Sequence, residues 1–343
     1  MKAVRLMGPE EVRVDDVAEP ELIEPGDAIV RVKQTAICGA DLFPYHGMTP
    51  GFETGTVLGH EFVGVVEAVG EGVTAVKPGQ RVVNTSMTSD GTCPHCRAGR
   101  VTQCESRALF GYSGVYPRLE GGQAELVRIP VANRSLFVIP DNVSDDDAVF
   151  VADILPTGYA GVRRGEVSVG DVVVVLGAGP VGLMAVLSAV GAAREVIAVD
   201  GVEQRRQLAE KLGAHSVTPD EAGVAVAAAT AGMGADVVIE AAGALPALDA
   251  SLELVRPQGI VSVIGAHFEP DYPLNNLLMF EKEITLRFSI GDPTRDRERL
   301  LATIEAGAMK PSDVVTHRMP LAEAADAYRL FDAREAVKVV LNP

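Results

Sequence analysis

The chain has 343 residues, 47% of them hydrophobic and 22% charged, enough apolar material for two buried cores at roughly 150 residues per domain. That profile excludes an intrinsically disordered chain and a small disulfide-stapled one. Lysine plus arginine number 30 against 47 aspartate plus glutamate, a net charge of −17, which argues against broad binding to nucleic acid or an anionic membrane. A phosphate-bearing ligand must therefore be held locally, by backbone NH groups and a few placed cations.

The opening MKAVRLMGPEEVRVDD has no apolar stretch before charges recur, so no signal peptide is visible and the expected location is cytoplasmic. Up to about residue 150, short alternating runs read as strands: AIVRVKQ (28–34), EFVGVVEAVG (61–70), QRVVNTS (80–86) and AELVRIP (124–130). Gly, Pro and Asp clusters separate them, as in a compact mostly-β domain. From about residue 158 apolar strands alternate with Ala-rich helical stretches. VVVVL (172–176), EVIAVD (195–200), DVVIEA (236–241), GIVSVIG (259–265) and ITLRF (284–288) are the strands. Such alternation implies a doubly wound parallel sheet with right-handed crossovers, an α/β fold. Residues 172–193 carry no charge and are long enough to span a bilayer. Four glycines and a proline interrupt them, so a buried strand, a turn and a buried helix explain them better. The tail reads as one helix and one strand, the strand returning to the first domain.

Gly177-Ala178-Gly179-Pro180-Val181-Gly182 fits G-x-G-x-x-G between a strand and a helix, and Asp200 follows 18 residues beyond Gly182. In this pattern Gly177 permits the tight turn, Gly179 the close approach of a pyrophosphate, and Gly182 close helix–strand packing. Asp200 would accept hydrogen bonds from the adenosine ribose and repel a 2′-phosphate, favouring NAD over NADP. Arg205 and Arg206 have the opposite tendency.

All four cysteines, Cys38, Cys93, Cys96 and Cys104, lie in the first domain. An even count permits two disulfides, but a cytoplasmic chain keeps thiols reduced, which points to metal or catalysis. The frame Asp90-x2-Cys93-x2-Cys96-x7-Cys104 offers four ligands to a closed, structural zinc. Cys38, His60 and Asp153 offer a thiolate, an imidazole and a carboxylate with a fourth position open, as a catalytic zinc requires. Asp41 is placed to fix the ring of His60.

Cys38-Gly39-x-Asp41, Gly59-His60-Glu61-Phe62-x-Gly64, the lobe frame with Ala98-Gly99-Arg100, Asp153–Gly158 and the glycine motif resemble the zinc-dependent medium-chain alcohol dehydrogenases. Leu109-Phe110-Gly111-Tyr112 and His317-Arg318-Met319-Pro320-Leu321 resemble the formaldehyde- and threonine-dehydrogenase-like branch. The resemblance implies a GroES-like, mostly-β catalytic domain (1–157 and 291–343) interrupted by a Rossmann domain (158–290). It implies Cys38, His60 and Asp153 as catalytic zinc ligands, and Glu61 as a neighbouring carboxylate that can move onto the metal. Thr157, Val181 and Asp200 match cofactor-contacting positions, and Lys338 falls where the family often places a cation near the pyrophosphate. It implies NAD, one catalytic and one structural zinc, a small alcohol, aldehyde or ketone as substrate, and a homodimer or homotetramer.

Two departures stand out. Asp90 occupies a lobe position where the family usually has cysteine. Ala40 stands where it has a proton-relay Ser or Thr, and Phe43 where many members have His, leaving His46 and Tyr45 as nearby substitutes. The expected activity is reversible oxidation of an alcohol by NAD. The competing readings are a formaldehyde dehydrogenase or dismutase, a zinc-free enoyl or quinone reductase, and a non-catalytic nucleotide-binding or redox-sensing module.

Overall fold

The computed structural model describes residues 1–343. Eight strands precede residue 154: β1 (Lys2–Gly8), β2 (Glu11–Asp16), β3 (Ala28–Ala36), β4 (Thr56–Val57), β5 (Glu61–Val69), β6 (Arg81–Asn84), β7 (Leu126–Ile129) and β8 (Leu136–Val138). Six more follow: β9 (Val172–Leu176), β10 (Glu195–Val199), β11 (His215–Val217), β12 (Ala235–Glu240), β13 (Val255–Val263) and β14 (Thr285–Phe288). β15 (His317–Pro320) and β16 (Val339–Asn342) close the chain.

The chain divides into two compact units, one of Met1–Asp153 with Asp292–Pro343 and one of Ile154–Gly291. The first boundary falls earlier than the sequence suggests. The helix Ile154–Arg164 packs on the helix Pro180–Ala189, so its first turn goes with the second unit.

In the first unit a seven-stranded sheet has the order β15-β16-β3-β5-β6-β8, with β7 also paired to β3, and a small sheet has the order β2-β1-β4. The alternation in β3 places Val30 and Val32 in the core and leaves Arg31 and Lys33 exposed, the period-2 pattern of a sheet wet on one face. β3 and β5 run antiparallel with Ala36 opposite Glu61. That register brings the residues just after β3 beside those just before β5. The C-terminal strand returns as expected, β16 pairing with β3 at Val340–Ala36.

The second unit is a six-stranded parallel sheet of order β11-β10-β9-β12-β13-β14. β9 is buried at every position, as a strand covered by helices on both faces must be. No helix is long and apolar enough to cross a membrane.

Candidate active site and zinc lobe

β3 ends at Ala36, and Cys38 caps the short 3-10 turn Gly39–Asp41. Asp41 closes that turn by accepting the Cys38 NH at 2.9 Å on Oδ2, while its Oδ1 lies 3.2 Å from His60 Nδ1. His60 is held from its backbone side too, since Asn84 Nδ2 donates to its carbonyl at 2.8 Å. Gly59 before it has φ +95, and a side chain there would run into Gln123. Asp153 arrives from the buried turn Val149–Ala152. Its Oδ2 lies 3.4 Å from His60 Nε2 and 3.7 Å from Cys38 Sγ.

One ligand atom each from Cys38, His60, Glu61 and Asp153 lies within 4.8 Å of all the others. Burial pushes the Cys38 thiol up to about 11, with the Glu61 carboxylate adding to it. Burial works against a charged His60 ring, yet Asp41 and Cys38 outweigh it and raise its pKa well above the ordinary value. At Asp153 burial is likewise outweighed, by hydrogen bonding and charge from His60, and its carboxyl titrates lower than usual. Cys38 and His60 are thus held toward their protonated forms in a cluster whose atoms could hold a metal. Glu61 Oε1 is buried without a hydrogen-bond partner, while His60 Nδ1 faces only Asp41 Oδ1. A divalent cation would replace those protons, so the donor set fits zinc.

Lys338 is fully buried, and its Nζ donates to Glu61 Oε2 and to the Ile37 carbonyl, the latter at 3.0 Å. Glu61 raises the lysine pKa against the opposing effect of burial, while burial raises that of Glu61 despite the lysine, and the two side chains form a fully buried salt bridge. This corrects the expectation that Lys338 presents its charge to a pyrophosphate, because Glu61 neutralises it. His46 also departs from expectation. Its Nε2 lies 2.8 Å from Asp332 and its Nδ1 3.5 Å from Glu10, apart from the metal set. It caps the turn Leu42–Tyr45 at its C-terminal end, where these two carboxylates are its ring partners.

The second set is local. Asp90, Cys93, Cys96 and Cys104 each offer a ligand atom within 4.8 Å of the others. Asp90 Oδ1 accepts the NH groups of Thr92 and Cys93 at 2.6 and 2.8 Å, leaving Oδ2 on the cysteine side, 3.3 Å from Cys104 Sγ. Those NH groups, Cys93 first, hold its carboxyl well below the usual carboxylate range. Cys93 caps the helix Pro94–Arg97, and the Cys96 NH points at its sulfur from 3.4 Å. Both features favour an anion on these atoms before any metal arrives.

In the second unit Gly177 has φ +90, and a side chain there would meet Ala242 at 2.9 Å. A Cβ at Gly182 would collide with the Gly177 carbonyl. Gly179 caps the helix Pro180–Ala189, with Pro180 first and Val181 second in its opening turn. Asp200 stands at the end of β10 and accepts the Ala178 and Val202 NH groups, both at 2.8 Å. Arg205 Nη1 lies 3.5 Å from it, and Arg206 donates to its carbonyl. Thr157 sits in the first turn of the helix Ile154–Arg164, close against Gly291.

Sequence reasoning gave no role to Asn84, quoted Tyr112 only within a motif, and did not pair Lys338 with Glu61. The one signal for Asn84 was a polar residue ending an apolar strand. Tyr112 donates to the Ala40 carbonyl, a contact across 72 positions that no spacing rule announces.

Residues 24–141 match the alcohol dehydrogenase GroES-like domain and residues 180–306 the zinc-binding dehydrogenase domain. The chain is 34% identical to zinc-type alcohol dehydrogenase B of Aspergillus flavus, covering all of this chain and 81% of that one. The alcohol dehydrogenase TADH of Thermus sp. ATN1 superposes with a TM-score of 0.96 at 40% identity, covering 100% of this chain and 99% of that one. A zinc-binding dehydrogenase of Sinorhizobium meliloti 1021 bound to NADP gives 0.88 at 31% identity, covering 100% and 99%. An alcohol dehydrogenase of E. coli CFT073 complexed with NADH gives 0.89 at 27% identity, with the same coverage. These matches run through both halves of the sequence, and the chain belongs to the zinc-dependent alcohol dehydrogenases, oxidoreductases that interconvert alcohols with aldehydes or ketones.

Proposed function

We propose that this enzyme uses NAD, holds one catalytic zinc on Cys38, His60 and Asp153 with Glu61 beside them, and holds one structural zinc in the lobe. The observation that carries the catalytic assignment is the convergence within 4.8 Å of a buried thiol, imidazole and carboxylate with the half-buried carboxylate of Asp153. When bound, zinc supplies the Lewis acidity that acidifies an alcohol hydroxyl, and the nicotinamide supplies the hydride acceptor. Asp41 holds a proton on His60 Nδ1 and so leaves Nε2 as a donor atom facing the set. Lys338 ties down one oxygen of Glu61 and leaves the other, Oε1, without a hydrogen bond.

The choice of NAD rests on Asp200, whose carboxylate would face a 2′-phosphate with like charge. Arg205, at 3.5 Å, offsets part of that repulsion, and the relatives described above include one bound to NADP and one to NADH. The test is the rate of NADH against NADPH production with one alcohol at equal cofactor. A higher kcat/KM with NAD supports the reading, and equal or reversed values sink it.

A second copy of the chain is the partner that fits the second unit. β14 ends the parallel sheet with an unpaired edge, and Phe280, Phe288 and Ile290 beside it are 81%, 56% and 59% exposed. An open, apolar edge of this kind favours pairing with its like. Sedimentation at micromolar concentration tests this, and a monomer would contradict it.

A further inference from the structure

The turn Gly39–Asp41 supports both ends of the catalytic set. Cys38 caps it and offers Sγ, and Asp41 closes it and faces His60 Nδ1. Between them Ala40 has no polar side chain, but its carbonyl accepts a hydrogen bond from the Tyr112 hydroxyl. Tyr112 is 6% exposed, its ring edge-on to Phe52 at 6.1 Å. Burial, with Asp41 next, pushes its phenol pKa upward, so the hydroxyl stays a donor.

The loop that delivers Tyr112 is itself fixed. Gly111 has φ +73, and a Cβ there would come within 2.5 Å of the Gly59 nitrogen. The Phe110 NH donates to the Ser86 carbonyl at 3.1 Å, and the Leu119 NH to the Tyr112 carbonyl at 3.0 Å. One loop thus meets the backbone beside His60, at Gly59, and the backbone beside Cys38, at Ala40.

We infer that Tyr112 is a positioning residue for alcohol oxidation, its hydroxyl clamping the Cys38–Asp41 turn so that the thiolate and the carboxylate behind His60 keep one spacing. The inference rests on Cys38 and His60 being zinc ligands. Tyr328 supplies an internal control. It is a fully buried phenol whose hydroxyl donates to Gln123 Oε1 at 2.9 Å and makes no hydrogen bond to the Gly39–Asp41 turn. Loss of a buried hydrogen bond as such would affect both tyrosines alike.

The experiment compares zinc-loaded Tyr112→Phe and Tyr328→Phe enzymes for zinc release to a chelator, kcat and KM. The release phase belonging to the catalytic set is identified as the one lost in Cys38→Ala. With Tyr112→Phe that phase is expected to quicken roughly tenfold and kcat to fall by a similar factor, the scale of losing a group behind a metal ligand. KM for the alcohol should stay within about twofold. Tyr328→Phe should lower Tm while leaving release and kcat within about twofold. Equal behaviour of the two variants overturns the clamp. If Tyr112→Phe does not fold, Tyr112→Met, which fills space without a donor, is expected to quicken release likewise, and wild-type release would overturn the inference. Should Cys38→Ala keep both zincs, the ligand assignment fails rather than the clamp.

Discussion

The two ligand sets of the first unit are built in opposite ways. Asp90, Cys93, Cys96 and Cys104 come from one stretch of fifteen residues, and the backbone of that stretch aims its NH groups at Asp90 and Cys93. Cys38, His60, Glu61 and Asp153 come from three distant segments, joined by the pairing of β3 with β5 and by the turn before Asp153. The lobe is a local loop that stabilises anions by itself. The Cys38 set is a cluster with three of its four members buried, and Asp41 and Lys338 balance part of its charge. A site of the first kind can accommodate Asp90 where the family usually has cysteine, because a carboxylate can also ligate zinc and the loop supplies its hydrogen bonds. A site of the second kind couples every member to its neighbours.

That contrast can be broken by mutation. The largest effect is expected for Cys38→Ala or His60→Ala, which should abolish NADH production while leaving the lobe and the circular dichroism spectrum intact. Measurable zinc-dependent turnover in either variant would end the catalytic assignment. Next comes Lys338→Met, which leaves Glu61 as an unpaired buried charge. Breaking a buried pair from one side typically costs about 3–5 kcal/mol, read as a lower denaturant midpoint. Adding Glu61→Gln should restore most of that stability, and no restoration would mean the pair is not what Lys338 stabilises.

Asp90→Ala should cost less. It removes one of four lobe ligands, so Tm should drop and the lobe zinc should pass readily to a chelator, while kcat at low temperature changes by less than about tenfold. A collapse of kcat equal to that of Cys38→Ala would show that the two sets are not independent. The smallest change is expected outside both sets. Asp200→Ser removes the charge facing a 2′-phosphate and should move the NAD-to-NADP ratio of kcat/KM toward NADP by roughly tenfold, about 1.4 kcal/mol. An unchanged ratio would shift the discrimination to other residues.

The same contrast explains what the sequence made legible. The lobe and the Gly177–Gly182 turn are local, so spacing carries their chemistry directly. Strand and helix alternation likewise located β9, β10, β12, β13 and β14, because buried parallel strands leave apolar runs that survive without context; the three-residue β11, with its exposed His215, left no such run. Cys38, His60 and Asp153 were candidates by donor chemistry and gained weight only through a family resemblance, since 115 positions separate the first from the last and spacing does not unite them. His46 misled because proximity along the chain is not proximity in space, and a single helical turn sent it toward Asp332. Lys338 reaches Glu61 through the pairing of β16 with β3, a contact across 277 positions. Local spacing holds no trace of it.

The central claim, two zinc sites of independent construction, is tested most directly by counting zinc per chain in the wild type, His60→Ala and Asp90→Ala. The account predicts two, one and one, with turnover lost in His60→Ala and retained in Asp90→Ala. No zinc in wild-type protein made with zinc present, or the loss of both ions from either variant, would contradict it.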